Sequence, residues 1–156
     1  MAAGMKPGWK AGALVVICAL AAPLLAAPND IVAMRVAGFR EVGAAFKNIN
    51  DELKSSTPQK YVIQLSARQI RDYARQHYGW FPAGSGSKPG VKTAAKPEIW
   101  SQAAAFKTAQ DGFAKQANAF ATVAASGDVA RMRAQAKALG QTCTVCHRSF
   151  RIEERR

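Results

Sequence analysis

The sequence predicts an all-α fold, an antiparallel four-helix bundle. Three observations lead to this prediction. Apolar residues recur at spacings of three and four in four long segments, as expected for amphipathic helices. No segment shows the strict alternation of apolar and polar residues that marks a half-buried strand. Most of the connections are also short, and short connections between helices favour antiparallel neighbours.

The amino-terminal segment is expected to be a signal peptide that is removed from the mature protein. Lys6 and Lys10 precede an apolar run, Ala11–Ala27, which is the layout of an export signal. The run is shorter than the ~20 residues that a membrane-spanning helix usually needs, so retention as an anchor is the less favoured outcome. We expect residues 1–26 to be cleaved and residues 27–156 to form a single bundle domain in the periplasm.

The first helix is predicted over residues 30–54, with Asn29 and Asp30 as candidate N-caps. Its apolar stripe is expected to consist of Ile31, Met34, Ala37 or Gly38, Val42, Phe46, Ile49 and Leu53. Phe39 broadens the stripe. A stripe of this kind ordinarily forms one wall of a bundle core.

The second helix is predicted over roughly residues 58–78, because Pro58 suits the first turn of a helix. We expect it to bury Tyr61 or Val62, Leu65, Ile70, Tyr73 and, at its end, His77, and to direct Arg68, Arg71 and Arg75 outward. The segment that follows, GWFPAGSGSKPGVKTAAKP, is dense in Gly, Pro and Ser. Its composition predicts a long crossover without regular structure.

The third and fourth helices follow the crossover and are separated by a clear stop. The third is expected to start near Pro97 and to bury Ile99, Ala103, Phe106, Gln110, Phe113, Ala117, Phe120 and Ala124. The sequence Ser-Gly-Asp at 126–128 then supplies a helix end and a new N-cap. The fourth helix repeats apolar residues at Val129, Met132, Ala136, Leu139, Cys143, Cys146 and Phe150.

The motif CTVCH on the fourth helix is the strongest functional signal in the chain. Cys143 and Cys146 are the only cysteines outside the expected signal peptide, and His147 follows directly, so the helical period points all three side chains inward. A redox dithiol usually lies at a helix N-terminus after a strand, and structural zinc wants four ligands, for which only His77 remains. Covalent haem fits better, because two thiols can bond the vinyl groups while the adjacent imidazole binds the iron. The dithiol and zinc sites remain as remote alternatives.

With a single CTVCH on the last helix of a four-helix bundle, the sequence resembles the class II c-type cytochromes, the cytochrome c-prime family and its low-spin relatives. The resemblance extends over essentially all of residues 29–152 and includes MRVAGFREVGAAFKNINDELK, WFPAGSGSKPGVKTAAKPEIW and CTVCHRSFR. It implies one covalent haem c per chain, attached at Cys143 and Cys146, with His147 as the proximal iron ligand.

The resemblance also implies roles for three residues around the haem. Arg151 would lie beside the proximal face, Arg35 near a haem propionate, and Phe39 over the distal face of the iron. Phenylalanine cannot bind iron, so we expect a five-coordinate haem with a small apolar pocket that admits NO or CO. The alternative is a low-spin, six-coordinate electron carrier in which Met34 is the sixth ligand.

The expected function is therefore that of a monohaem cytochrome that binds small gases, carries electrons, or does both. An enzymatic role is not expected, because Arg35 and Glu41 are the polar candidates on the first helix and both are predicted on or near its outer face.

The charge of the chain suggests what kind of partner it meets. The formal net charge is +12, and residues 54–96 hold eight basic residues against one acid, Asp72. This favours an acidic redox partner or an anionic membrane surface, and no nucleic-acid motif is present. Family members often pair through their first two helices, which leaves a homodimer open, although basic residues on the second helix would repel one another.

Overall fold

In the computed structural model, residues 1, 28–89 and 91–153 are described. The helices are α1 (Pro28–Lys54), α2 (Lys60–Gln76), a short α3 (Glu98–Ser101), α4 (Ala103–Ser126) and α5 (Val129–Phe150), with a 3-10 turn, His77–Gly79, after α2. Apart from residue 1, the expected signal peptide lies outside these ranges. None of the helices within them combines the length and the apolarity needed to cross a bilayer.

Helix α1 begins earlier than the sequence pattern predicts. It starts at Pro28, so Asn29 and Asp30 lie within the first turn and are not N-caps. Proline is well tolerated there because the first helical N–H groups have no intrahelical partner. Asp30 in the first turn and Lys54 in the last both complement the helix dipole.

The buried stripe of α1 is predicted correctly from Gly38 onward. Val42, Ile49 and Leu53 are buried and Phe46 is partly buried, as expected. Met34, however, is 49% exposed, and its predicted core position is wrong. In the first turns, the face that packs inward instead carries Val32 and Arg35.

Helix α2 buries Ile70, and the turn after it buries His77, as predicted, but the rest of its inner face differs from the prediction. Its inner face consists of Ile63, Ser66, Ala67, Ile70 and Ala74, and His77 continues this line into the 3-10 turn. The expected core residues Tyr61 and Leu65 are 70% and 51% exposed. The small residues Ser66, Ala67 and Ala74 allow close packing against α1 and α4, which decides the orientation.

The predicted third helix is interrupted near its start. Gln102 adopts φ −118° and ψ 47°, which is not helical, and separates α3 from α4. Ala103 is consequently exposed, against expectation, whereas the rest of the predicted stripe from Phe106 to Ala124 is buried.

The predicted stop between the last two helices is confirmed. Gly127 ends α4 in the left-handed region with φ 75°, and the Asp128 carboxylate accepts a hydrogen bond of 3.0 Å from the backbone N–H of Arg131.

The four long helices form the predicted bundle, with α1 beside α2, α2 beside α4, α4 beside α5, and α5 returning to α1. One core runs through all four helices. A smaller cluster of Ile99, Phe106 and Phe150, with Cys146 packed against it, closes the bundle end where the crossover lies.

The crossover contacts both α1 and α5, which are neighbours in the bundle but are not consecutive along the chain. Three of its residues, Trp80, Ser85 and Thr93, accept hydrogen bonds from Arg35 of α1. Its second half pairs with the end of α5, where Lys96 N–H donates to Phe150 O at 3.0 Å and Ile152 N–H donates to Ala94 O at 2.8 Å.

Candidate functional site

The site lies at the seam between α1 and α5. The Arg133 side chain donates a hydrogen bond of 3.0 Å to Leu53 O, and Gly140 packs under the ring of Phe46. A step of seven residues back along α1 thus matches a step of seven forward along α5. One further step of seven along each helix predicts that Phe39 lies at the level of His147, to within about one turn. This agrees with the expectation that the two residues lie on opposite faces of the iron.

The two cysteines of the motif are partly buried free thiols. Burial raises the pKa of both, for Cys146 to about 11, and the nearby Cys143 contributes to the Cys146 shift. A redox dithiol needs a lowered thiol pKa, so these thiols are poorly suited to that chemistry. Within the described ranges there is also no group of three or more His, Cys, Asp or Glu side chains that could hold a metal ion.

The side chain of His147 is exposed, whereas both cysteines are partly buried. The prediction that all three side chains of the motif point inward is therefore wrong for His147. Partial burial of the ring lowers the pKa of His147, and the positive charge of Arg151 lowers it further. The imidazole is therefore held in its neutral form, the form that binds a metal. Arg151 follows the last residue of α5, and its backbone N–H donates to His147 O at 2.9 Å.

Arg35 is not on the outer face of α1, where the sequence analysis placed it. Only 3% of it is exposed. Its guanidinium donates to Trp80 O at 3.2 Å, to Ser85 Oγ at 3.2 Å and O at 3.1 Å, and to Thr93 Oγ1 at 2.8 Å. It also lies 4.7 Å from the ring centroid of Phe81. All these acceptors are neutral. Glu41, by contrast, is exposed as expected.

Phe39 stands among aromatic side chains from the start of the crossover. Its ring meets Trp80 edge to face at a centroid distance of 4.9 Å, and Phe81 lies 6.1 Å away. Trp80 is 4% exposed and packs against Gly38. The sequence analysis did not assign Trp80 or Phe81 to the site. The only local signal was an aromatic pair next to the proline of the crossover.

These side chains match the chemistry of a covalent haem. Two thiols three residues apart can bond two vinyl groups, and the neutral imidazole beside them can bind iron. Arg35 supplies a buried positive charge that lacks an acidic partner in the described part of the chain, and such a charge favours an anion such as a propionate. Phe39 and Trp80 supply an apolar wall. The donor set therefore fits the group.

Comparison with known proteins gives a consistent result. Residues 30–151 match the family described as Cytochrome C'. The chain is 36% identical over 132 residues to cytochrome c' of Rhodopseudomonas palustris, covering 82% of this chain and 86% of that protein. It is 32% identical over 126 residues to cytochrome c' of Pararhodospirillum photometricum, covering 81% and 99%. Its fold is similar to the nitric oxide complex of a variant cytochrome c prime from Alcaligenes xylosoxidans, with a TM-score of 0.75, 26% identity, and coverage of 82% and 98%.

Proposed function

Because the chain belongs to the cytochrome c' family, whose members carry one covalent haem c per chain, we propose that it is a periplasmic cytochrome with a five-coordinate iron. This iron binds small uncharged gases such as NO and CO and can also carry electrons. The haem would supply the iron and its redox change. The protein would anchor the haem and determine which ligands reach the iron on the side away from His147.

Each side chain at the seam has a role in this proposal. Cys143 and Cys146 form the thioether bonds, and His147 binds the iron from the proximal side. Burial, together with the positive charge of Arg151, lowers the pKa of His147 and so favours its neutral imidazole. Arg35 neutralises a propionate while it fixes the crossover through its hydrogen bonds to backbone and hydroxyl oxygens.

The observation that carries the proposal is the position of Phe39. The helical steps along α1 and α5 predict it at the level of His147, and its ring has no atom that can bind iron, so Phe39 would cover the haem without binding the metal. Trp80 and Phe81 surround it with apolar surface. A pocket of this kind accepts a small uncharged diatomic molecule and rejects polar ligands, which would lose their hydrogen bonds with water.

The low-spin alternative is disfavoured by the position of Met34. This side chain is 49% exposed. It precedes Phe39 by five residues, so it points about 140° away from Phe39 around the helix axis. Met132 is fully buried in the main core, two turns beyond the level of Leu139 and four turns from His147. Neither methionine of the described helices lies at the level that a sixth ligand requires.

A role in gas binding is also supported by the similar cytochrome c prime that was solved as a nitric oxide complex. We propose no substrate turnover, because the side chains packed around Phe39 are aromatic and carry no acid–base pair. An acidic redox partner follows from the net charge of +12. Pairing into a homodimer stays a prediction.

Absorption spectra of the mature protein test the proposal directly. We expect a red protein with broad high-spin bands in both oxidation states, and a ferrous spectrum that sharpens and shifts when CO is added. Sharp low-spin bands that ignore CO would overturn the open site and return the iron to an internal ligand. A colourless protein would overturn the haem itself and revive the dithiol or zinc site.

A further inference from the structure

Helix α1 has one position where a side chain larger than hydrogen cannot fit. A Cβ atom added to Gly38 would lie 2.6 Å from Cζ2 and 3.0 Å from Cζ3 of Trp80, and Cη2 of the same ring would be nearer still. The benzo ring of the indole thus rests on the bare backbone of α1. Glycine is required here for close approach and not for its backbone angles, since the helix is regular.

Trp80 is fixed from several sides. Its carbonyl oxygen accepts a hydrogen bond of 3.2 Å from Arg35. Tyr73 and His77 also pack near the indole, with centroid distances of 6.0 Å and 6.4 Å. Phe39 lies nearest among these aromatic rings and meets the indole edge to face at 4.9 Å. A displaced indole would therefore move Phe39.

We propose that Trp80, seated on Gly38, is a positioning residue that sets how far Phe39 stands from the iron, and thereby how readily a gas binds. The inference rests on the proposed function, in which Phe39 covers the distal side. In close-packed interiors a shift of one side chain is passed to its neighbours. The size of the pocket is thus determined by a tryptophan of the crossover as well as by Phe39 itself.

The first test compares two glycine substitutions in the same helix. In Gly38→Ala the new methyl group drives the indole toward Phe39, so we expect CO to associate with the ferrous protein at least about threefold more slowly. Gly43→Ala is the matched control, because a Cβ there meets nothing within 4 Å. Both changes give α1 the same gain in helix propensity. Equal CO association rates in the two variants would overturn the proposal.

The second test replaces the indole of Trp80 by a smaller ring. Trp80→Phe shortens the side chain and leaves room behind Phe39, so we expect CO to associate at least about threefold faster than in the wild type. In the double variant the atoms that met the alanine methyl group are gone, so Gly38→Ala should then have no effect. Additive effects in this cycle would mean that the two residues act independently, against the proposal.

The readouts separate this inference from the proposed function. If the wild-type ferrous protein binds no CO, the proposed function fails before any variant is made. If it binds CO but all variants share the wild-type rate, only the role of Trp80 fails. The stretching frequency of bound CO provides a signature that a general loss of stability would not move, and we expect it to shift in Gly38→Ala and Trp80→Phe alone.

Discussion

A buried guanidinium needs oxygen acceptors, and at Arg35 the crossover supplies four of them. Arg35→Leu would leave the carbonyl oxygens of Trp80 and Ser85 buried and unpaired. We expect the free energy of unfolding to fall by roughly 2–4 kcal/mol, because each unpaired buried acceptor costs about 1–3 kcal/mol and the lost cost of burying a charge offsets part of this. Urea unfolding followed by circular dichroism measures the change.

The matched control for this substitution is Arg40→Leu, on the same helix but exposed. It should stay close to the wild type. If both variants lost the same stability, Arg35 would not be the link between α1 and the crossover.

His77 predicts how the stability depends on pH. It is 3% exposed, its Nδ1–H donates to Ala74 O at 2.8 Å, and Nε2 has no hydrogen-bond partner in the described structure. Burial lowers the pKa of His77, and the Ala74 carbonyl and Asp111 oppose this only in part. As the pH falls, His77 is therefore protonated at a higher pH in the unfolded chain than in the native protein. The free energy of unfolding consequently falls as the pH drops below about 6.5.

The variant His77→Phe lacks this titration and should show a flatter decline between about pH 6.5 and pH 5. Urea unfolding at a series of pH values gives the slopes. His147 is present in both proteins, so its contribution cancels in the comparison. Parallel curves would show that the buried imidazole of His77 does not control the acid sensitivity.

At the scale of the elements, the sequence predicts where helices exist better than which face they bury. The α4 to α5 boundary follows from local chemistry, since Gly127 and Asp128 act on the backbone beside them. The face of α2 does not, because its sequence offers two apolar lines. Tyr61 and Leu65 form the bulkier one, and the bundle selects the other because small side chains let the helices approach.

The break at Gln102 was hidden for a similar reason. Ile99, Ala103 and Phe106 keep a helical spacing through the break, so no local signal marks it. At the break, Ile99 packs with Phe106 and Phe150 at the end of the bundle, and Phe150 is distant in sequence from the other two.

The site likewise contains residues that the sequence predicts and residues that it does not. Cys143, Cys146 and His147 are adjacent in sequence, so their number and spacing predict a covalent haem without any structure. The burial of Arg35 could not be predicted, because its hydrogen-bond partners lie 45 to 58 residues away in the crossover. The contact of Trp80 with Gly38 depends on the same long-range packing.

At the scale of the whole molecule, the charge should control the rates of electron exchange. The chain carries a formal net charge of +12. Oxidation of the ferrous protein by ferricyanide, an anion, should slow as ionic strength rises, because salt screens the attraction. Oxidation by tris(phenanthroline)cobalt(III), a cation, should instead accelerate as ionic strength rises. Stopped-flow kinetics give both oxidation rates as a function of ionic strength, and each oxidant is the control for the other. If both rates changed in the same direction with ionic strength, electrostatic steering would be contradicted.

The crossover that binds both α1 and α5 also bears on the order of assembly. These helices are the first and last long elements, so the seam between them can widen without stretching any turn. A rigid macrocycle can therefore enter sideways and bond the thiols of α5 while α1 is still undocked. The crossover then holds the two helices together, because it forms hydrogen bonds with Arg35 on α1 and with Phe150 and Ile152 at the end of α5. We therefore expect attachment of the haem to precede docking of α1, so that the group need not enter a finished core.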